Sequence, residues 1–272
     1  MKYSRERTGL YALAAIGILY IIGMGIIFLI SHNEPFIWFG AIDMKAFADY
    51  GAHIAGVATF FAFLFAFLSF HEQSKTARIQ QFESTFFNML THFDSIISSI
   101  QIDENNRLQT GETVISKAGI KTGRYALNTL LRDYLKVLKI GLINMDELWD
   151  ENFKTEDIVY NRWQEMYKSN IYSLPHYFRY YYTIVKFIMT SDLIKDKKKY
   201  TDILQAKMSS HEMGLIFYNT YYNPSITNQN GAKKFQEWLN DKEIGLFENI
   251  QQESVYDAKD FKSKCKIDFK HL

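Results

Sequence analysis

The chain has 272 residues, with 31 Lys and Arg against 30 Asp and Glu, and a single cysteine. This charge balance, which also holds beyond residue 70, creates no global field that would select nucleic acid as a partner. One cysteine excludes an internal disulfide framework and a cysteine-based zinc site. The 22 Phe and 18 Tyr beside only 3 Pro favour long helices with aromatic packing over a loop-rich sandwich.

Two uncharged apolar stretches lie near the N-terminus, at Leu10–Ile30 and Gly51–Phe70. As helices they would measure about 30 Å, the thickness of the hydrocarbon core of a bilayer. A cleaved signal peptide is the competing interpretation of the first stretch, but its apolar run exceeds the usual length of about 7–15 residues. The sequence therefore predicts a transmembrane helical hairpin, and a lipid bilayer as partner.

The flanks of these stretches predict the orientation of the hairpin. Lys2, Arg5 and Arg7 precede the first stretch, and Lys75 and Arg78 follow the second, whereas the loop between them is mainly acidic. Because basic flanks remain in the cytoplasm, we expect the N-terminus and the C-terminal domain to be cytoplasmic.

A heptad pattern follows the second stretch. Apolar residues alternate at steps of three and four, at Ile79, Phe82, Phe86, Met89, Phe93, Ile96 and Ile100. No helix breaker separates this pattern from the second stretch, so we expect one helix from Gly51 to Ile102. The apolar seam has two explanations, which are packing against the core of its own domain and self-association of the stalks.

The rest of the chain is predicted to be helical, with polar loops. Residues 103–122 are expected to form a loop. The predicted helices are Arg124–Ile140 ended by Gly141, Glu156–Asn170, Tyr177–Met189 behind a cap at Ser173, Lys198–Tyr222, and Ala232–Asn240. The last 20 residues form either an ordered lid or a loose tail. No strand pattern persists.

The predicted fold class is therefore all-α, an N-terminal two-helix transmembrane hairpin that continues through a long stalk helix into a cytoplasmic helical domain. The expected boundaries are residues 1–70 for the hairpin with spans 10–30 and 51–70, 71–102 for the stalk, and 103–272 for the cytoplasmic domain.

Small residues form a stripe along the second apolar stretch. They recur at helical spacing and allow close approach of another helix, at Gly51, Ala55, Ala58, Ala62 and Ala66. The first span of the same hairpin is one candidate partner, and a neighbouring subunit is the other.

Motifs of known enzyme classes are absent from the sequence. There is no G-x-S-x-G elbow, no H-E-x-x-H, and no complete phosphate-binding loop, and the seven histidines are dispersed. We therefore expect a protein that is not an enzyme and that needs no metal or cofactor.

Two predicted helices concentrate polar side chains among aromatic ones. One interpretation is a Tyr-rich core with an ion pair between Arg179 and Glu212. The other is a ligand pocket in which basic groups hold phosphate and tyrosine rings stack on bases. The candidate ligand-binding residues are Arg179, Lys186, Lys207, His211, Tyr180 and Asn219.

Three segments resemble a known family. They are the nine residues from Phe82 to Leu90, the run Tyr177-Phe178-Arg179-Tyr180, and Ser209–Asn219, which has the pattern S-x-H-E-x-G-L-x-F-Y-N. Together they resemble the phage abortive infection protein family, over about Gly51–Tyr222. The Ser209–Asn219 run is the most specific part of the likeness.

The resemblance implies a bacterial inner-membrane effector with an N-terminal hairpin and a cytoplasmic helical domain that senses a signal. It also implies that membrane damage after infection stops phage replication. Some effectors of this layout are encoded beside a nucleotidyltransferase or reverse transcriptase, as in Hailong-type or retron systems. A nucleotide or oligonucleotide ligand is therefore expected.

These observations lead to one functional hypothesis and one alternative. The hypothesis is a homo-oligomeric channel or pore that disrupts the inner membrane under control of a nucleotide or oligonucleotide signal. The alternative is a membrane-anchored scaffold that recruits a partner protein.

Overall fold

The computed structural model describes residues 15–27, 30, 44–103, 120–148, 155–223 and 230–265. Over these ranges the chain is mostly helical, which confirms the predicted all-α class. The chain divides into two compact units, Met1–Arg78 and Ile79–Leu272. One long helix, α2 (Met44–Ser99), contributes residues to both units.

The first unit contains an apolar helix, α1 (Ala15–Ile27), and the N-terminal part of α2. Among the described residues, one helix segment, Gly51–Ser99, is long and apolar enough to cross a membrane, with a mean hydropathy of 2.0 in a window of which nothing is buried. The remainder of the predicted Leu10–Ile30 span and the loop after it lie outside the described residues. The two-span hairpin therefore stays a prediction.

Within the first unit, α1 contacts one face of α2. A Cβ atom on Gly17 would lie 2.3 Å from the ring of Phe61, so a larger residue here would require that ring to shift. The hydroxyl of Tyr20 lies 3.2 Å from Nε2 of His53. The α2 residues on this side, which line a cleft against α1, include Ala52 and Gly56.

The stripe of small residues lies on another face of α2. Gly51, Ala55, Ala58, Ala62 and Ala66 are all exposed. At about 100° per residue, their face is roughly opposite the face that contacts α1. The described part of α1 is therefore not the partner of this stripe.

In the second unit, the C-terminal part of α2 is a core helix. Phe82, Phe86, Phe93 and Ile97 are buried. Of the two explanations for the heptad seam, packing against the domain's own core is thus the one that the structure supports. The rings of Phe82 and Phe187 stack at 4.7 Å, and those of Phe93 and Tyr177 at 5.3 Å.

These ring pairs run in opposite directions along α2 and the helix Leu174–Thr190, so the two helices are antiparallel. The remaining elements are β1 (Gln101–Asp103), β2 (Ile120–Thr122), α3 (Gly123–Leu148), α4 (Thr155–Ser169), α5 (Leu174–Thr190), α6 (Lys197–Ala206), α7 (Ser210–Tyr222), α8 (Asn230–Asn240), a 3₁₀ turn (Gln252–Ser254) and α9 (Ala258–Cys265).

A short antiparallel ladder corrects the predicted loop at 103–122. Gln101 pairs with Thr122 and Asp103 with Ile120, while residues 104–119 lie outside the described ranges. Strands of three residues are too short to show an alternating pattern, which is why the sequence did not predict them.

Helix α3 extends beyond its predicted end at Ile140. Gly141, the predicted end of the helix, lies inside α3, and its φ angle is not positive. Without the left-handed conformation, glycine forms no C-terminal cap, and it costs an interior helix only about 1 kcal/mol relative to alanine.

The predicted helix Lys198–Tyr222 is in fact two helices. Helix α6 ends at Ala206 and α7 starts at Ser210. The residue that begins α7 is its N-cap, Ser209, whose side chain accepts a hydrogen bond from the backbone of Glu212. The S-x-x-E sequence here is thus a start signal inside an otherwise helical pattern.

The described residues of the C-terminal part of the chain, which end at Cys265, pack on the core. Phe261 and Cys265 are buried, and the ring of Phe261 lies 5.3 Å from that of Phe217 in α7. The hydroxyl of Tyr222 donates a hydrogen bond of 2.6 Å to Asp260. Helix α9 is therefore part of the core rather than a loose tail.

Candidate functional site

The first turn of α7 positions a buried carboxylate. Ser209 Oγ accepts a hydrogen bond from the N–H of Glu212 at 3.2 Å, and Glu212 Oε2 accepts one from the N–H of Ser209 at 2.7 Å. This reciprocal capping box satisfies two backbone donors. It also fixes the Glu212 side chain, which is completely buried.

An ion-pair network surrounds Glu212 and joins four elements. Arg124, at the start of α3, donates to Glu212 Oε2 at 2.6 Å through Nη1 and to Asp94 Oδ1 at 3.2 Å through Nη2. Asp94 on α2 also pairs with Lys207, which follows α6. Two cations and two carboxylates therefore alternate across the junction of α2, α3, α6 and α7.

The members of this network differ in exposure. Glu212 is fully buried, whereas the side chains of Arg124, Lys207 and Asp94 are 38%, 33% and 42% exposed. The buried pair is required because an isolated buried carboxylate is very costly. The pairs made by Asp94 are of the surface kind, worth about 0–1 kcal/mol each.

Two polar atoms beside this network have no hydrogen-bond partner among the described residues. They are Oε1 of Glu212 and the hydroxyl of Tyr177, and both are buried. Burial, and then the charge of Glu212, raise the pKa of Tyr177 well above its usual value. The hydroxyl therefore stays protonated and can donate a hydrogen bond.

The rest of the Ser209–Asn219 motif is architectural. A Cβ on Gly214 would lie 2.5 Å from the carbonyl oxygen of Ser254 and 2.7 Å from Cδ2 of Leu131, so the 3₁₀ turn and α3 can approach α7 only at glycine. The Tyr218 hydroxyl accepts a hydrogen bond of 2.8 Å from the N–H of Tyr256. The motif thus fixes the elements that surround α7.

The residues predicted to bind ligand have different surroundings in the structure. Lys207 joins the network described above, and His211 is partly exposed on the first turn of α7. Asn219 is buried and accepts a hydrogen bond of 2.9 Å from the side chain of Asn223. Arg179 and Lys186 are exposed on α5, and no described contact joins either of them to Lys207.

Tyr180 lies on α5 and contacts the core. Its ring is partly buried and stacks on Phe93 at 6.3 Å. The expected ion pair between Arg179 and Glu212 is not present, because Arg124 occupies the Glu212 carboxylate. Sequence reasoning thus missed Arg124 and Asp94, which lie far from Glu212 along the chain.

Two lysines in the first turn of α6 are paired with nearby carboxylates. Lys198 pairs with Asp202 at 3.2 Å and with Glu248 at 3.3 Å, and Lys199 pairs with Glu83 at 3.4 Å. Tyr200 also donates to Glu83 at 2.8 Å, which lowers the pKa of that carboxyl. Lys199 and Tyr200 therefore contribute to packing of α6 on α2, and the charges of Lys198 and Lys199 are compensated.

The described residues contain no group of three or more His, Cys, Asp or Glu side chains that could hold a metal ion. The single cysteine, Cys265, is buried, and its burial raises the pKa of the thiol to about 12. A protonated, enclosed thiol is a poor nucleophile.

The chain thus contains a helical domain that includes the Ser209–Asn219 motif. Its core helix α2 continues, on its N-terminal side, into an exposed apolar segment. A model of the family described as "Putative phage abortive infection protein" matches residues 169–254. The match begins at the end of α4 and includes α5, α6, α7 and the 3₁₀ turn. The family resemblance of this region is thus confirmed. No curated protein and no solved structure matches the chain.

Proposed function

We propose that this protein is an effector of abortive infection that acts on the bacterial inner membrane. One observation carries the proposal. The helix that packs Phe82, Phe86 and Phe93 into the helical domain begins, some turns earlier, as an apolar segment in which no residue of the most apolar window is buried.

The exposure of this segment supports a membrane location. Phe60, Phe63, Phe67 and Phe70 are between 59% and 70% exposed. Burial of apolar surface gains about 25 cal/mol per Å², so a row of large exposed side chains is unfavourable in water and favourable in lipid. In the proposed orientation, the N-terminus and the helical domain are cytoplasmic.

Disruption of the membrane would require several copies of the chain. Two apolar helices cannot enclose an aqueous path, whereas a ring of subunits can. The small-residue stripe at Gly51, Ala55, Ala58, Ala62 and Ala66 is suited to the contact between subunits, because it faces away from α1 and lets helix backbones approach closely. The protein is accordingly proposed to form a homo-oligomeric channel or pore.

The helical domain is proposed to respond to a nucleotide or oligonucleotide. The family match over residues 169–254 supports a role in phage defence, and a soluble phosphate-bearing signal would couple infection to the membrane. The alternative is a membrane-anchored scaffold that recruits a partner protein and leaves the bilayer intact.

The proposed role in abortive infection can be tested by infecting cultures so that nearly every cell receives a phage. Cells that contain the full chain should die without releasing progeny, since abortive infection sacrifices the infected cell. Cells that produce only residues 71–272 should release normal numbers of phage. Survival of fully infected cultures that contain the full chain would contradict the proposal.

A further inference from the structure

The junction of α2, α3, α6 and α7 has the chemistry of an anion site whose occupant is a side chain of the same protein. The guanidinium of Arg124 and the ammonium of Lys207 both contact one carboxylate, that of Asp94. A planar guanidinium beside an ammonium is a common arrangement for binding phosphate. All three side chains are between 33% and 42% exposed and can therefore be reached from solvent.

The energies of the contacts indicate which partner can leave. Arg124 is held by the buried Glu212, and breaking such a buried pair costs about 3–5 kcal/mol. Asp94 makes surface pairs, which are worth about 0–1 kcal/mol each. Arg124 therefore stays in place, and the carboxylate of Asp94 is the group that a competing anion can displace.

A second observation concerns buried polar atoms in the neighbourhood of Arg124. Oε1 of Glu212 and the hydroxyl of Tyr177 are buried without partners among the described residues. Buried polar atoms are nearly always satisfied by protein, water or a bound molecule. Tyr177 remains a hydrogen-bond donor because its pKa is raised, and it lies near enough to Arg124 and Glu212 for both charges to act on that pKa. A buried donor near a guanidinium is suited to an anion, whereas Oε1 of Glu212 is an acceptor that needs a donor such as water.

We propose that Arg124 and Lys207 bind a phosphoryl group, and that Asp94 occupies this site when the ligand is absent. This inference rests on the proposed control by a nucleotide or oligonucleotide. It assigns the residues that contact the phosphates of that signal. A phosphate monoester carries a charge of about −1.5 to −2 and three acceptor oxygens, so it competes well with one carboxylate.

Displacement of Asp94 would also give the ligand a direct effect on α2. Asp94 lies on the same continuous helix as the apolar segment Gly51–Phe70. The charge of a bound phosphate repels the Asp94 carboxylate and removes two of the contacts that hold α2 to α3 and to the residue after α6. Ligand binding and the position of α2 are thereby coupled.

The test uses the purified full-length protein in detergent and measures binding by titration calorimetry. Two probes distinguish the sources of phosphate, namely pyrophosphate, which has only terminal groups, and a tetranucleotide with a 5′-hydroxyl, which has only diesters. Asp94→Asn removes the competing charge and keeps the shape of the side chain. The matched control is Glu165→Gln, an exposed acid on α4 that pairs with Arg162.

Asp94→Asn should bind at least one probe about tenfold more tightly than the unmodified protein, which corresponds to about 1.4 kcal/mol. Adding Lys207→Met should remove that gain, and Glu165→Gln should leave binding unchanged. Equal or absent binding in all variants would overturn the site. Because the measurement needs neither phage nor a membrane potential, that result would leave the proposed membrane function standing.

Discussion

Replacement of Arg124 with Met should produce the largest loss of stability of any single change at the four-helix junction. Among the described residues, the change leaves the fully buried Glu212 carboxylate with the N–H of Ser209 as its one partner. Removing one member of a buried ion pair costs about 3–5 kcal/mol, which for a domain of this size lowers the melting temperature by on the order of 10 °C. Thermal unfolding of the full chain in detergent measures the effect.

The control variants make this prediction specific to the ion pair. Arg179→Met removes an exposed arginine that has no described ion pair, and it should change stability by less than about 0.5 kcal/mol. Adding Glu212→Gln to Arg124→Met removes the uncompensated charge and should restore most of the loss. If Arg179→Met were the more damaging change, the assignment of Arg124 as the partner of Glu212 would be wrong.

Replacement of Ala62 with Leu should produce the largest loss of function in the apolar segment. Ala62 is exposed on the small-residue face, where the extra bulk would prevent close approach of a neighbouring subunit. Leucine is fully compatible with lipid, so insertion into the membrane should be preserved. Plaque counts on cells with this variant should rise to those on cells without the protein.

A matched control for this variant is Phe63→Leu. Phe63 is 69% exposed on a different face of the same helix, and its replacement keeps an apolar side chain. It should retain protection, and both variants should be recovered in the membrane fraction in equal amounts. Full protection by Ala62→Leu would show that the stripe contacts lipid only.

The general architecture could be predicted from the sequence because its signals are local. The heptad seam at Phe82, Phe86 and Phe93 correctly predicted both a helix and its buried side, since these residues pack in the core. The break between α6 and α7 was also present locally, in the capping box of Ser209 and Glu212. The continuous apolar pattern on both sides of the break obscured it.

The candidate site could be predicted only in part. Lys207 was among the predicted ligand residues, and Glu212 was singled out with the wrong partner. Along the chain, Arg124 lies 88 residues from its partner Glu212, and Asp94 lies 30 residues from its partner Arg124. Contacts over such separations depend on how helices pack, which local periodicity does not specify.

The sequence likewise could not predict which side of α2 contacts α1. Small residues suit any close helix contact, so their spacing cannot distinguish α1 from a second subunit. The structure places a glycine of α1, Gly17, against the ring of Phe61 instead, a contact of one small residue with one large residue.

The central claim, that infection leads to loss of the membrane barrier, is tested most directly by recording membrane potential in single infected cells with a voltage-sensitive dye. Cells that contain the full chain should depolarise, and admit a small impermeant dye, before phage release and before DNA or RNA is degraded. Cells with Ala62→Leu should keep their potential until the phage lyses them. If cells with the full chain die while their potential is intact, the pore is excluded and the scaffold alternative takes its place.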